Sequence, residues 1–243
     1  LVRDKLLIAR ASPGQSIPLV MRPAMDHMEN WVARWMTSDL SLKKLDPSIL
    51  EKASEQAGLI LDEDQLEAVR MALQSSTVVL TGRPGTGKTT LIKVFMQAVG
   101  IRHECWALAA PTGRAARRLS ESCRMKAQTI HRLLEYQPHM EAFQRGPDSP
   151  LEVDGVLLDE VSMVDLPLLY SLIRALPRGA RLVMVGDADQ LPLGRSRPSA
   201  PRLSGLGADP RRPPAAHLPP SPGLWRGSQR PPCSAGEVAR QRP

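Results

Sequence analysis

The chain has 243 residues, 42% of them hydrophobic, so it can bury the cores of one or two domains. It has no uninterrupted apolar run of about 18 residues and no signal-peptide pattern, which excludes a membrane-spanning helix and a membrane partner and predicts a cytoplasmic location. The formal net charge of +7 does not by itself indicate nucleic-acid binding, because residues 1–193 carry 23 Lys+Arg and 23 Asp+Glu.

Residues 1–60 predict a small helical element, or the end of an upstream domain, packed on the rest of the chain. From Pro23 to Leu40, apolar side chains recur every three or four residues, as on one face of a helix. Asp46 and Pro47 are the residue types expected at the N-cap and in the first turn of a second helix. The sequence begins at Leu1 and not at methionine, which suggests a fragment or a processed product.

A glycine-rich loop follows the next predicted helix and strand. After a helix over Asp62–Leu73, the β-branched run Thr77–Leu80 leads into Gly-Arg-Pro-Gly-Thr-Gly-Lys-Thr at residues 82–89 and then into a helical pattern. Glycines let backbone N–H groups converge on a phosphate, and the helix N-terminus adds donors and a favourable dipole. The lysine would reach the β- and γ-phosphates and the threonine hydroxyl would bind Mg²⁺, so the loop predicts binding of a nucleoside triphosphate. The alternative is a glycine-rich turn with a solvated lysine. The residues assigned to the nucleotide are Gly82, Arg83, Pro84, Gly85, Thr86, Gly87, Lys88, Thr89 and Thr90.

Apolar strands alternate with helices as far as residue 193. This alternation predicts an α/β fold in which a parallel sheet is covered on both faces. Gly82, Pro111, Asp159 and Asp187 each follow the carboxyl end of a predicted strand, where open α/β sheets bind ligands. The strands after the loop are predicted at His103–Ala110, Gly155–Leu158 and Arg181–Val185, the helices at Leu91–Val99, Arg114–Ser120, Gln128–Tyr136 and Leu166–Leu176, and a polar loop at Gln137–Pro150.

Two acids stand at the end of the strand Gly155–Leu158. Mg²⁺ is a hard ion that is held by few carboxylates together with nucleotide phosphates, which makes Asp159 a candidate metal partner. Glu160 would orient and deprotonate the attacking water. Two solvated acids at a strand end are the alternative. Gln190, in the stretch after Arg181–Val185, is a candidate sensor of the γ-phosphate.

Six motifs in order carry a family resemblance. They are LDEDQLEAV (61–69), TGRPGTGKTT (81–90), APTGRAARRL (110–119), QTIHRLL (128–134), DEVSMVD (159–165) and GDADQLP (186–192). Over residues 61–193 the chain resembles the RecD-like DNA helicases of superfamily 1, which are related to the exodeoxyribonuclease V alpha subunit; Pif1-type helicases fit TGRAARRL less well. The resemblance implies a RecA-like P-loop NTPase domain that uses ATP and Mg²⁺, moves 5′ to 3′ on single-stranded DNA and serves DNA repair and recombination.

The resemblance also implies roles for single residues. Lys88, Asp159, Glu160 and Gln190 would be catalytic, Thr89 and Asp159 would hold the metal, and Gln65 would contact adenine, although by itself it reads as an exposed helix residue. Residues 102–145 carry eight Lys+Arg against four acids, which supports a DNA path there. By itself, His131 fits a helix cap or a core equally well. The residues implied to line this path are Pro111, Thr112, Gly113, Arg114, Thr129 and His131. RecB- or RecC-like partner subunits are left open.

The sequence departs from the family pattern at two places. Arg83 stands where the family more often has a small residue, and after Leu193 the pattern of the second motor domain is not found. We therefore expect nucleotide binding with poor hydrolysis and no DNA unwinding. Residues 194–243 hold eleven prolines and nine arginines and predict a disordered tail. A basic nucleic-acid-binding tail and a frameshifted, non-native end are the alternatives.

Two further readings of the whole chain stay open at this point. One is a P-loop kinase for a small molecule or nucleotide, in which APTGRAARRL would act as a basic lid. The other is an inactive truncated product.

Overall fold

A computed structural model describes residues 7–10, 19–39, 42–83 and 85–187 of the chain. All of them belong to one of the two compact units into which the chain divides. Pro84, Gln190 and the predicted disordered tail at 194–243 lie outside the described residues, so their predicted roles are not addressed by the fold.

The described residues form nine strands and seven helices, and five of the strands make one parallel sheet. The strands are β1 (Ile8–Arg10), β2 (Leu19–Met21), β3 (Thr77–Thr81), β4 (Trp106–Ala110), β5 (Ala127–Thr129), β6 (Tyr136–Gln137), β7 (Ala142–Phe143), β8 (Gly155–Leu158) and β9 (Arg181–Gly186). The helices are α1 (Pro23–Met36), α2 (Pro47–Ala57), α3 (Glu63–Gln74), α4 (Lys88–Ile101), α5 (Gly113–Cys123), α6 (Ile130–Leu133) and α7 (Leu166–Ala175). The parallel sheet has the order β3-β9-β8-β4-β5, which confirms the predicted α/β fold.

Side chains alternate between the two faces of this sheet, and each face is covered. Leu108, Leu157 and Val183 point into a core that they share with residues of α2, α3 and α4. Val156 and Leu182 belong to a second core, with residues of α1, α6 and α7. A strand buried on both faces must be apolar at every position, which is why these strands read as continuous apolar runs.

The two N-terminal helices are part of these cores. Leu50 and Ala53 of α2 are buried in the core of the first face, and Val32 of α1 is buried in the core of the second. Asp46 accepts the backbone N–H of Ser48 at 3.0 Å and caps α2, as predicted. The proposed domain boundary after residue 60 stays a prediction.

Three predicted elements differ from the structure. The strand predicted from His103 begins at Trp106, because His103 has a left-handed φ of 54° that an extended strand does not allow. The predicted helix Gln128–Tyr136 is a short strand, then the four-residue α6, and then the start of a hairpin. The hairpin pairs Tyr136 with Phe143 and replaces part of the predicted loop at 137–150.

A further antiparallel pair, β1 with β2, was also not predicted. Within the described part of the chain, no helix is both long and apolar enough to cross a bilayer.

Candidate nucleotide-binding site

The four loops predicted to carry the chemistry meet at one edge of the sheet. Thr81 of β3 lies opposite Gly186 of β9, and Leu158 of β8 lies opposite Met184 of β9 and Ala109 of β4. Because the strands are parallel, their carboxyl ends share this edge, as expected from the sequence. The glycine-rich loop, the Pro111 segment, the two acids and Asp187 therefore all leave the sheet on the same side.

The loop between β3 and α4 has a shape that depends on its glycines. Gly85 and Gly87 have left-handed φ angles of 84° and 77°. A Cβ at Gly82 would lie 2.5 Å from Oγ1 of Thr86, whose hydroxyl donates to the Arg83 carbonyl oxygen at 2.8 Å. Side chains at these three positions would be strained or would collide, so the tight backbone curve is built from glycine for steric reasons.

Lys88 folds back over this loop. Its Nζ donates to the carbonyl oxygens of Gly82 and Arg83, the second at 3.0 Å. Lys88 begins α4, so its ammonium lies beside the N-terminus of that helix. A cation, unpaired helix donors and a dipole gathered in one place form an anion site. Thr89 is exposed and Thr90 is half-buried in the same first turn.

Asp159 and Glu160 directly follow β8 and form what we call the acidic turn. Its backbone N–H donates to Ala109 O at 2.9 Å, and its Oδ1 accepts the N–H of Glu160 at 2.9 Å. Burial raises the pKa of the Asp159 carboxyl, while the bond from Glu160 N–H and the positive charge of Lys88 act in the opposite direction. The turn that begins at Asp159 and the loop that leads to Lys88 leave the sheet at the same edge. Glu160 has a left-handed φ of 53°, an uncommon conformation for a residue with a side chain.

The end of β9 contacts both the acidic turn and the loop. A Cβ at Gly186 would lie 2.8 Å from Cγ1 of Val161, which begins a 3₁₀ turn at Val161–Met163. The carbonyl oxygen of Gly186 also accepts the N–H of Gly82 at 3.4 Å. Asp187 is buried at the same edge. The sequence analysis placed Asp187 here but missed Gly186, whose only signal was a glycine at a strand end.

Gln65, in the first turn of α3, contacts the glycine-rich loop. Its Nε2 donates to Thr86 O at 3.3 Å, and its Oε1 accepts the N–H of Asp62 at 3.2 Å. The sequence placed this residue near the nucleotide, and the structure brings it to the glycine-rich loop. The bond to the loop backbone was not predicted.

The residues assigned to a DNA path lie at the β4–β5 side of the same edge. Thr112 accepts the N–H of Ala115 and caps α5, and Thr129 accepts the N–H of Arg132 and caps α6, both at 3.2 Å. Each hydroxyl keeps its own O–H as a donor for a further partner. A groove of about 400 Å³ lies between these elements, and its lining includes Gly113, Arg117, Gln128, Thr129 and Arg132.

The other assigned residues do not line this groove but are close to it in the chain. Pro111 is half-buried, and Arg114 is exposed in the first turn of α5. His131 is exposed, and its ring centroid lies 5.6 Å from that of Tyr136 and 5.8 Å from that of Phe143. This aromatic cluster was not predicted, because it depends on the β6–β7 hairpin.

The residues present fit a nucleotide with Mg²⁺. In residues 7–10, 19–39, 42–83 and 85–187, no group of three or more His, Cys, Asp or Glu could hold a metal without other ligands. Mg²⁺ needs only one or two protein ligands when phosphates and waters supply the rest, and Thr89 and Asp159 can provide them. The glycine-rich loop and Lys88 would hold the phosphates of the same ligand.

Comparison with known proteins identifies the family of this domain. The AAA domain family matches residues 65–195, more than half of the chain. The chain belongs to the AAA domain family. The matched segment of this AAA domain runs from Gln65 through the glycine-rich loop, the residues assigned to a DNA path and the acidic turn.

This AAA domain is similar to curated helicases. It is 43% identical over 135 residues to the ATP-dependent RecD2 DNA helicase of Deinococcus radiodurans, a match that covers 54% of this chain and 18% of that protein. It is 39% identical over 152 residues to the RecBCD enzyme subunit RecD of Mycobacterium tuberculosis, with 53% of this chain and 26% of that protein covered. These relatives confirm the predicted resemblance to RecD-like helicases. The chain spans about a fifth to a quarter of their lengths.

A solved structure that describes DNA unwinding at forked double-stranded DNA by two Pif1 helicases is also similar. The two chains are 26% identical over a match that covers 53% of this chain and 34% of the Pif1 chain, with a TM-score of 0.42.

Proposed function

We propose that this AAA domain binds ATP with Mg²⁺ and forms the nucleotide-binding half of a DNA helicase motor. The observation that carries the proposal is that β3 and β8 end at the same edge of the sheet, so that the loop leading to Lys88 and the turn beginning at Asp159 leave it on one side. A phosphate-binding loop and a metal-binding carboxylate are useful together only for a phosphorylated ligand with a divalent ion.

Each residue of the site has a place in this proposal. Lys88 would exchange its bonds to the loop carbonyls for bonds to the β- and γ-phosphates, and the N-terminus of α4 would stabilise their negative charge. Thr89 and Asp159 would hold Mg²⁺, which when bound neutralises charge that develops on the phosphates. Glu160, held beside Asp159 by its own backbone N–H, would orient and deprotonate the attacking water. Gln190 would sense the γ-phosphate.

The groove between α5 and β5 would carry single-stranded DNA. Thr112 and Thr129 would donate their hydroxyl protons to phosphate oxygens, and Arg114 would supply a positive charge. Phosphate contacts of this kind position a strand without reading its sequence. Pro111, Gly113 and His131 would shape the wall of the path.

Two further properties belong to the proposal. The family resemblance implies movement 5′ to 3′, and the name of one relative, a RecBCD subunit, supports testing for RecB- or RecC-like partners. The relatives extend well beyond the matched segment. We expect this 243-residue chain, tested by itself, to bind ATP–Mg²⁺, to hydrolyse it slowly and not to unwind duplex DNA.

The kinase alternative receives no support from α5. Ala115, Ala116 and Leu119 of this helix are buried, and the helix packs on β4, β5 and α4. A lid has to move away from the domain, and α5 could do so only by exposing these buried apolar side chains.

The proposal is tested by nucleotide binding and by ATPase rates with and without single-stranded DNA. We expect Lys88→Ala to abolish ATP–Mg²⁺ binding, and Lys93→Ala, which removes the same charge from α4, to leave binding unchanged. Single-stranded DNA should raise nucleotide affinity or turnover, whereas stimulation by a small acceptor molecule would favour a kinase. A thermal melt that is cooperative and shifts upward with ATP–Mg²⁺ would argue against an inactive product. Undiminished ATP binding in Lys88→Ala would refute the proposed function.

A further inference from the structure

The carboxamide of Gln65 joins two elements of the candidate site. Its Oε1 accepts the N–H of Asp62 at 3.2 Å, and its Nε2 donates to the carbonyl oxygen of Thr86 at 3.3 Å. Oδ1 of Asp62 in turn accepts the N–H of Gln65 at 2.8 Å, which completes a capping box at the start of α3. One side chain therefore connects the first turn of α3 to the backbone of the glycine-rich loop.

The peptide group between Thr86 and Gly87 is the point of contact. A trans peptide holds its C=O and N–H in opposite directions, so a Thr86 carbonyl directed at Gln65 turns the N–H of Gly87 to the other side of the loop. Gly87 is also the N-cap of α4, with φ at 77°, and a Cβ there would lie 2.7 Å from Nε2 of Gln65. The missing side chain at Gly87 allows the carboxamide to approach.

We propose that Gln65 is a positioning residue of the phosphate loop, which strengthens phosphate binding even when the ligand has no base. The proposal rests on the proposed function, since it takes the loop to be the triphosphate site. It is separate from the adenine contact that the family resemblance implies. An amide group has a second N–H and a second acceptor lone pair, so a carboxamide held by Thr86 and Asp62 can still present one of each to a base. Reading the base and holding the loop would then be coupled in one side chain.

A ligand without a base separates the two roles. The probe is tripolyphosphate with Mg²⁺, measured by its displacement of a fluorescent ATP analogue from the full 243-residue chain. Gln65→Met keeps the length of the side chain but loses the donor to Thr86, and we expect it to bind tripolyphosphate about fivefold more weakly, the usual net effect of one hydrogen bond. Gln65→Ala, which adds no bulk, is the second variant and should show the same loss.

Asp62→Ala is the matched control. It removes the side-chain cap of α3 but leaves the Asp62 N–H and the bond from Gln65 to Thr86 in place. We expect it to lower the melting temperature of the chain while tripolyphosphate affinity stays unchanged. The ratio of ATP affinity to tripolyphosphate affinity is the readout that a loss of stability does not move.

Four outcomes decide between the explanations. If the Gln65 variants lose affinity for ATP but bind tripolyphosphate normally, Gln65 reads the base only and the proposal is wrong. If Asp62→Ala weakens tripolyphosphate binding as much as Gln65→Met does, capping of α3 explains the effect and the proposal is also wrong. If ATP–Mg²⁺ binds the unsubstituted chain but tripolyphosphate does not, the loop does not hold a ligand without a base and the proposal is wrong. If ATP–Mg²⁺ binds Lys88→Ala as tightly as the unsubstituted chain, the proposed function itself fails.

Discussion

A methyl group at Gly87 should lower the stability of the fold more than one at Gly179, although the two residues have almost the same φ angle. Their φ angles are 77° and 76°. A Cβ at Gly179 meets no atom within 4 Å, whereas a Cβ at Gly87 would lie 2.7 Å from Nε2 of Gln65. Gly179→Ala therefore measures left-handed strain by itself, and Gly87→Ala adds the displacement of one side chain.

The magnitudes follow from these two terms. A non-glycine residue in the left-handed region costs about 1 kcal/mol, and we expect Gly179→Ala to lower the free energy of unfolding by about that amount. In Gly87→Ala, Gln65 must also move away and give up its bond to Thr86, which adds about 1 kcal/mol. The expected total for Gly87→Ala is roughly 2 kcal/mol.

Urea denaturation of the two variants, each also made with Gln65→Ala, tests this reasoning. Without the Gln65 side chain, Gly87→Ala should cost no more than Gly179→Ala, so the extra term should vanish in the double variant. Gly87→Ala should also weaken tripolyphosphate binding, and Gly179→Ala should not. Equal losses for the two single variants would mean that Gln65 moves aside freely, and the argument that Gly87 exists to admit it would fail.

Three further predictions concern other parts of the molecule. Burial raises the pKa of Asp159, so the folded chain binds this proton more tightly than the unfolded chain and loses stability as the pH rises above the usual aspartate range. With Mg²⁺ chelated, Asp159→Asn should therefore be more stable than the original chain at pH 7. Urea denaturation at lower pH should show this gain in stability disappearing. The buried guanidinium of Arg181 forms an ion pair with Glu104, so Arg181→Met and Glu104→Leu should each lower the free energy of unfolding by about 3 kcal/mol. In thermal and urea unfolding the double variant should lose less than the sum of the two single losses, and additive losses would contradict this pairing. Arg114→Ala should weaken binding of single-stranded DNA and reduce by about 1 the slope of the logarithm of the binding constant against the logarithm of salt concentration. Arg178 is an exposed arginine that precedes β9, and Arg178→Ala should change neither quantity.

The position of the site at one sheet edge could be predicted because the strands are continuous apolar runs and the candidate residues follow directly after them. Gly155–Leu158 and Arg181–Gly186 are apolar at nearly every position, and such strands occur in parallel sheets covered on both faces. Once the strands are parallel, residues that follow their carboxyl ends lie at the same edge of the sheet. Lys88 and Asp159 could therefore be placed at one edge, but the single strand β9 that separates β3 from β8 could not be predicted, because strand order depends on tertiary contacts.

The smaller elements could not be predicted from local patterns. Ala127–Thr129 is a three-residue strand at the sheet edge, and its pairing with Leu108–Ala110 has no periodic signature in so short a segment. The hairpin between Tyr136 and Phe143 is two residues long on each side. Both are formed by tertiary contacts, and the helix-like spacing of residues 128–136 was misleading because Glu135 takes a left-handed φ of 55°.

A glycine in the sequence indicates that another segment can pack closely against it, but the sequence does not show which segment that is. Gly186 closes β9, and its carbonyl oxygen accepts the N–H of Gly82 while its missing side chain admits Val161. A single backbone position thus fixes the distance between the glycine-rich loop and the turn that presents Asp159 and Glu160. The residue types at the two ends of this arrangement specify phosphate and metal chemistry and can be recognised in the sequence. The spacing between them depends on contacts that only the folded chain contains, because a glycine shows that something comes close and not which residue does.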